Sequence, residues 1–359
     1  MKRSEPSKSP TMKALAAEAG VSQSTVSLAL RDDPRLRPET RSRIQALARK
    51  RGYRPDPVLS ALVAYRSRTR APGDYGKIGI LHDWDQLDRL PLSFRQQIDG
   101  MSEQAETLGY QTELFRVHPA EDRSLRLSRM LFSRGIRGII LASLRMPALL
   151  MDWKHFSAVV VGEYFSRPQL NHVGNHHASV LTTTYQELRK LGYRRIGFCN
   201  SIVSEERKHH LYLGAYLKCL YLDGIEPSRS PPFLYDSAGD WSPLPWLDQY
   251  GFDAVMSLVP SVFMEKLNGS VYTVPDRLGV AGYAIPLDAH PAPIAGCALD
   301  YHRIGAAAVD LLQTMLHRSQ RGVPAENEHY DLLIRGQWRE GASVMHAPNA
   351  AARQQPPAC

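Results

Sequence analysis

The chain has 359 residues, 43% of them hydrophobic, and a formal charge of +8. That is enough apolar material for two or three cored units, and no run approaches the roughly 18 consecutive apolar residues of a membrane span. The basic excess is local: residues 1–75 hold 16 Lys/Arg against 7 Asp/Glu and the remainder 28 against 29, so phosphate-neutralising cations crowd the first fifth of a neutral protein.

Residues 1–10 are a polar Ser/Pro/Lys tail, expected to be disordered in the free chain. Two short helical patterns follow, with Leu15, Ala16 and Ala19 on one face and Val26, Ala29 and Leu30 on the next, broken at Gly20-Val21-Ser22. Gly20 suits a left-handed turn, and Ser22 suits the N-cap of the second helix. That helix carries Gln23, Ser24, Thr25 and Ser27 early, all able to reach base edges or phosphates. A third helix starts at Pro38, burying Ile44, Leu47 and Ala48 while Arg41, Arg43, Arg49, Lys50 and Arg51 stay wet. Pro55 and Pro57 stop it, and a basic linker rich in Arg ends near residue 75.

From Lys77 the periodicity changes to short apolar runs alternating with helices. Strands are predicted at 77–81, 111–115, 138–141, 158–162, 195–199, 254–258 and 277–283. Helices are predicted at 94–108, 124–133, 178–191, 211–222 and 301–317. Residues 226–250 read as mostly irregular. The alternation implies two doubly wound parallel sheets, each covered on both faces, so the fold class is α/β with a small all-α head.

Cys199, Cys219, Cys297 and Cys359 are widely spaced with no CxxC, so neither a zinc ribbon nor a redox pair is written here, and a reducing cytoplasm fits them. The polar N-terminus lacks the apolar core of a secretion signal. His172, His176 and His177 lie in HVGNHH and His209 and His210 form a pair, yet no Cys or carboxylate sits at ligand spacing, so no metal is expected. Without GxSxG or HExxH, neither an enzyme nor a cofactor is expected.

The stretch Ala14–Leu30 (ALAAEAGVSQSTVSLAL), followed by Pro38-Glu39-Thr40-Arg41 and Gly52-Tyr53-Arg54-Pro55, resembles the headpiece of the lactose/galactose repressor (LacI/GalR) family. Weaker likeness continues through Leu108-Gly109-Tyr110, Arg137–Leu141, Leu191–Gly197, Val274–Tyr283 and Ile304–Leu312. The resemblance implies a helix-turn-helix domain at 11–54, a hinge at 55–75 and a body of the periplasmic binding protein type I kind at 76–342. It also implies two lobes, roughly 76–174 plus 301–326 and 175–299 plus 328–342, and a disordered tail at 343–359. A homodimer would bind a near-palindromic operator in double-stranded DNA, as a repressor in the bacterial cytoplasm and nucleoid, with no membrane partner. Carried over by position, Gln23, Ser24 and Leu28 would face base edges, while Thr11, Ser22, Thr25, Ser27, Thr40 and Tyr53 would hold phosphates, joined by Arg31. Leu62 matches a leucine wedged into the minor groove and Leu59 stands beside it. Leu28 departs from a common Arg, and Leu59-Ser60 from Ala and Arg.

The implied effector is a small polar molecule, a sugar or another metabolite, at the carboxyl ends of the strands. Asp83, Trp84, Arg145, Glu163, Asn200, Tyr212 and Tyr283 are the candidate contacts. Tyr212 replaces a usual Arg, Ala284 a usual Asp and His176 a usual Asp near the crossing between lobes. The rival expectation is a ligand-independent architectural DNA binder whose body only dimerises.

Overall fold

Six-residue runs such as Lys-Ile-Gly-Ile-Leu-His can be buried on both faces only if helices cover both sides of their sheet. The computed structural model describes residues 11–30, 36–51, 53, 76–86, 90–118, 120–142, 144–162, 165–287, 294–326 and 328–345. The head holds α1 (Met12–Ala19), α2 (Gln23–Leu30) and α3 (Pro38–Lys50). Arg31, the hinge with Leu59 and Leu62, Glu163 and both expected tails, apart from 343–345, lie outside the described residues, as do the side chains of Ser24 and Ser27.

The first lobe is built from β1 (Lys77–His82), α4 (Leu92–Thr107), β2 (Gln111–Arg116), α5 (Glu121–Ser133), β3 (Gly138–Ala142), β4 (Ser157–Val161) and β5 (Asn171–Asn175). The second contains α6 (His177–Lys190), β6 (Ile196–Ser201), α7 (Ile202–Arg207), α8 (Leu211–Leu222), β7 (Phe233–Tyr235), α9 (Leu244–Tyr250), β8 (Ala254–Ser257), α10 (Pro260–Glu265), β9 (Gly279–Pro286) and β10 (Ala295–Leu299). The chain then returns to the first lobe for α11 (Tyr301–His317) and β11 (Asp331–Ile334) and ends in the second with β12 (Gln337–Arg339). The sheet orders are β11-β5-β4-β3-β1-β2 and β12-β10-β9-β8-β6-β7. Pairing is parallel between the neighbouring strands of both, except that β12 runs antiparallel to β10. Each sheet therefore reverses its winding beside its first strand, β1 or β6, which is where such folds open a crevice at the carboxyl ends.

Two boundaries differ from expectation. Ser343 and Val344, expected in the disordered tail, are buried in the second lobe, where Ser343 Oγ accepts the Ala295 N–H at 2.9 Å. Residues 328–342 are expected in the second lobe, but β11 pairs with β5 in register Asp331↔His172 to Ile334↔Asn175, within the first sheet. The crossing falls at Arg335-Gly336 instead, where a Cβ on Gly336 would lie 2.7 Å from Cys297 Sγ and 2.8 Å from the Ala298 carbonyl. β11 is short and mostly exposed, so no hydrophobic alternation marks its sheet. Residues 226–250 are also more ordered than their composition suggests. The Tyr235 and Trp241 rings stack at 4.0 Å, Trp246 lies 4.4 Å from Phe252, and Trp246 Nε1 donates to the Pro231 carbonyl at 2.9 Å. Aromatic burial supplies there what periodicity does not.

The first-lobe core joins Ile78, Ile80, Ile140 and Val159 of the sheet to Phe94 and Met101 of α4 and to Ile304, Ala308 and Leu312 of α11. The two helices meet backbone to backbone. A Cβ on Gly100 would sit 2.0 Å from the His302 carbonyl oxygen, and one on Gly305 2.0 Å from that of Gln97. Only hydrogen fits at either place. Gly305→Ala should therefore lower stability by about 1–3 kcal/mol through overpacking. Gly214→Ala, in α8 with nothing within 4 Å of its Cβ position, should raise it by about 0.5–1 kcal/mol; chemical denaturation of both variants beside the parent checks the opposite signs.

Candidate functional site

The head is capped as its sequence requires. Thr11 Oγ1 accepts the Ala14 N–H at 3.2 Å, and Gly20 closes α1 at φ 66°. Ser22 Oγ accepts the Thr25 N–H at 3.1 Å and lies 2.8 Å from Thr25 Oγ1. These bonds satisfy helix-end donors and fix the angle at which α2 leaves the turn. Leu15, Ala16 and Ala19 of α1, Val26 and Ala29 of α2, and Ile44 and Ala48 of α3 are buried together. Thr11, Ser22 and Gln23 are exposed, and Thr25, Leu28, Thr40 and Tyr53 partly so. The amino end of α2 thus shows short polar side chains beside its unsatisfied N–H groups, a surface suited to anionic backbone and to base edges.

Arg43 and Arg51, both expected to stay wet, have structural partners. Arg43 Nη2 donates to the Ala19 carbonyl at 3.1 Å, closing the end of α1. Arg51 grips Glu18 with Nε to Oε2 at 2.9 Å and Nη2 to Oε1 at 2.8 Å. Gln45 Nε2 does for α2 what Arg43 does for α1, donating to Ala29 O at 2.9 Å. These bonds span 16 to 33 residues and carry no local signal.

Between the lobes lies a cleft of about 270 Å³. Its first-lobe wall is Ser93 and Gln97 of α4, the ends of β4 and β5 at Gly162 and Asn175, and Tyr301 of α11. The second lobe supplies Lys208, Tyr212, Leu258 and Ala284. Of the residues singled out from sequence as ligand contacts, Tyr212 lines this cleft. Its ring stands 4.7 Å from Tyr283, which is fully buried behind it and stacks on Phe198 at 5.6 Å, with Tyr216 5.2 Å beyond. Burial pushes the Tyr283 hydroxyl far above the ordinary tyrosine range, so it stays neutral. His177 meets the other edge of Tyr212 at 4.7 Å.

The remaining candidates are drawn together differently. Asp83 accepts the Arg145 N–H at 2.7 Å, Arg145 Nη2 donates to the Asp83 carbonyl at 2.6 Å, and the guanidinium lies 4.5 Å over the Trp84 ring. Asp83, Trp84 and Arg145 therefore form one knot beyond β1 and β3, outside the cleft wall. Asn200 is buried and donates to the fully buried Glu205, whose other oxygen accepts the Leu213 N–H at 3.2 Å. That carboxylate supplies negative charge at the amino end of α8. His176, expected near the crossing, stands on it: its Nδ1 accepts the Ser179 N–H at 3.2 Å and caps α6.

Sequence reading missed Ser93, Gln97, Asn175, Lys208 and Tyr301 as cleft residues. Lys208 is delivered by a turn in which His209 and His210 hold φ of 51° and 57°. Two consecutive non-glycine residues there are rare, and two adjacent imidazoles were the visible trace of it. Asn175 Oδ1 is buried with no hydrogen-bond partner among the described residues. A wider hollow of about 430 Å³ lies at the amino ends of β1 and β2, but there Glu113 is paired to Lys77 at 3.0 Å and to Arg134 at 2.7 Å. Among the described residues no group of His, Cys, Asp or Glu could hold a metal, and no helix is long and apolar enough to cross a membrane.

Residues 11–56 match the model for bacterial regulatory proteins of the lacI family, and residues 185–344 that for a periplasmic binding protein-like domain. The HTH-type transcriptional repressor CytR of Escherichia coli (strain K12) is 25% identical over 361 residues, covering 94% of this chain and 99% of the relative. Catabolite control protein A of Priestia megaterium is 22% identical over 214 residues, covering 59% and 61%. Among solved structures, a transcriptional regulator CelR-cellobiose complex superposes with a TM-score of 0.55 at 18% identity, over 93% of this chain and 99% of that one. The lac repressor dimer bound to operator and the anti-inducer ONPF gives 0.54 at 17%, with the same coverage.

The capping geometry predicts that Ser22→Ala destabilises the head by about 1 kcal/mol. Hydrogen exchange should locate the loss in the first turn of α2 and leave β1 and β3 unchanged.

Proposed function

The chain belongs to the lacI family of bacterial regulatory proteins, and from that premise we propose that it is a transcriptional repressor that binds a near-palindromic operator as a homodimer under the control of a small polar metabolite. The observation that carries this reading is the exposed amino end of α2, with Ser22 capping it and Gln23 standing outside the head's core. A helix presented this way enters a major groove with its first residues on base edges. Gln23, Ser24 and Leu28 then read sequence, while Thr11, Ser22, Thr25, Ser27, Thr40 and Tyr53, with Arg31, hold phosphates. Leu59 and Leu62 act from the hinge in the minor groove. The head (11–54), hinge (55–75) and two-lobed body work in the bacterial cytoplasm on nucleoid DNA, without enzymatic turnover.

The cleft is the sensor. Solved relatives in the fold carry cellobiose or ribose by their descriptions, and a carbohydrate is the ligand class we carry over. Ligand held between the lobes changes their closure, and closure sets the spacing of the two heads. A ligand moves this equilibrium only by as much as it prefers one closure state. Two observations favour the rival, an architectural binder without an effector: Asp83 is spent on Arg145, and Asn200 on Glu205.

Binding to a palindrome recovered by selection from random DNA should weaken steeply with salt, since each phosphate contact releases counterions. Leu28→Arg should add preference for guanine at one position of each half-site, worth about 1–3 kcal/mol. A variant that gains affinity equally on all sequences would show that position 28 faces backbone. Separately, a carbohydrate panel in thermal-shift and operator-binding assays should contain a compound that moves both. A panel, widened to nucleosides, that moves neither would favour the architectural reading.

A further inference from the structure

β11 forms one edge of the first sheet. Its carbonyls at Tyr330 and Ile334 accept the N–H groups of His172 and His176 at 2.8 and 2.9 Å, so alternate residues Tyr330, Leu332 and Ile334 turn their backbone to β5. Backbone groups alternate in direction along a strand, and those of Asp331, Leu333 and Arg335 therefore point away from the sheet, where no strand among the described residues meets them. Such an open row of donors and acceptors is a template for another chain, and proteins ordinarily blunt it with lysine, proline or a bulge. β11 has none of these. It reads Asp-Leu-Leu-Ile in unbroken register, and Leu332 and Leu333, on its two faces, are 41% and 42% exposed beside Tyr330 at 59%. The opposite edge, β2, carries Glu113 and Arg116 instead.

The strand is complementary to itself. Two copies running antiparallel about Leu333 set one Leu333 against the other, and the pair exchanges the two backbone bonds that point outward. The same register puts Asp331 opposite Arg335 of the second copy at both ends, with Leu332 opposite Ile334 on the other face. Opposite charges directly across an antiparallel pair stabilise it. Both side chains belong to exposed residues, and Asp331 has the His172 imidazole, Nδ1 at 3.3 Å, as its neighbour within the chain. Centring the pair on Leu332 or Ile334 leaves Asp331 and Arg335 facing leucine, histidine or glutamine. Centring it between residues sets outward groups against inward ones, so the charges select Leu333.

Direction decides what the pairing joins. Every strand pair in the first sheet is parallel, so antiparallel pairing at β11 points the amino end of β1, to which the head is attached, one way in one copy and the opposite way in the other. Two heads so placed cannot lie side by side on one operator.

We propose that β11 joins operator-binding dimers to one another by pairing with β11 of a second copy, making two six-stranded sheets continuous and leaving heads at opposite ends to hold two DNA segments. This rests on the reading of the chain as an operator-binding homodimer. Each contact is two-fold and saturates one edge on either side; a dimer offers two such edges, so association proceeds to tetramers and beyond. The test is sedimentation of the full-length protein from about 1 to 100 µM, beside binding to a single operator duplex. Species heavier than the dimer should grow with concentration, and the Leu333 N–H should gain protection from hydrogen exchange over the same range. Arg335→Glu, which sets like charges across both ends, should weaken association by about tenfold or more, and the exchanged pair Asp331→Arg with Arg335→Asp should restore it. Leu333→Lys should abolish it. All these variants should bind one operator as the parent does, but only the parent and the exchanged pair should bridge a second labelled duplex to an immobilised first. Dimers that bind operator and never associate, or association indifferent to these substitutions, would overturn the inference alone. A parent that binds no operator strikes the function reading, and the joining of operator-binding dimers with it.

Discussion

The closest constraint in the body is the contact of α4 with α11, where Gly100 and Gly305 let each helix press against the other's backbone. Those helices carry Ser93, Gln97 and Tyr301 to the cleft, so the distance between two backbones sets where that wall stands. Packed interiors transmit displacement because they have little free volume. A side chain at either glycine would move the wall before it touched any ligand. The contact also joins distant parts of the sequence: α11 returns to the first lobe after the chain has built most of the second. The lobes are therefore laced, with crossings at His176, Asp300 and Arg335-Gly336.

Each crossing is held by bonds that belong to the adjoining helix or strand. His176 and Asp300 both cap the helices that follow them, through Ser179 N–H and Arg303 N–H. Gly336 passes where Cys297 and Val180 leave no room for a side chain. Three short, well-anchored strands of backbone permit relative motion of two rigid sheets about a narrow axis, which is the geometry a hinge needs. The aromatic series Tyr212, Tyr283, Phe198 and Tyr216 runs from the cleft into the second-lobe core. Pressure on Tyr212 is thus borne by the sheet and not by a loose loop.

How much of this could be read from sequence depended on range. In the head, Thr11, Gly20, Ser22 and Pro38 act on residues within four positions, and their roles were legible. Arg43 and Gln45 close helix ends and Arg51 grips Glu18, each 16 to 33 residues away, and nothing local in the sequence marks those contacts. In the body, the strands that bury both faces stood out, such as β3 and β4. β10 did not, because Gly296 there lies so near Gly282 that a Cβ would fall 2.1 Å from its carbonyl oxygen, and that glycine reads as a turn. β11 exposes most of its side chains and gives no alternation to detect. The knot of Asp83, Trp84 and Arg145 shows the limit for sites: the residues were singled out for being at strand ends, but which charge meets which is settled by packing.

That limit has a physical reading. A charged side chain at the end of a strand or helix is cheap to place when a neighbour of opposite sign lies within reach, as with Asp83 and Arg145, Asp223 and Arg189, and Glu113 with Lys77 and Arg134. Residue type alone cannot distinguish a charge neutralised by the fold from one directed at a ligand. Lys208 lines the cleft, and the strained pair His209-His210 that follows it shapes the turn that places it there. Strain of this kind persists only where surrounding structure over-determines it, here by His210 N–H to the Glu205 carbonyl at 2.8 Å and Gly214 N–H to that of His210 at 2.8 Å. The buried Glu205 thus serves twice, its carbonyl holding the turn and its carboxylate the helix that bears Tyr212, so that the cation and the ring of the cleft are placed by one residue that the cleft does not contain.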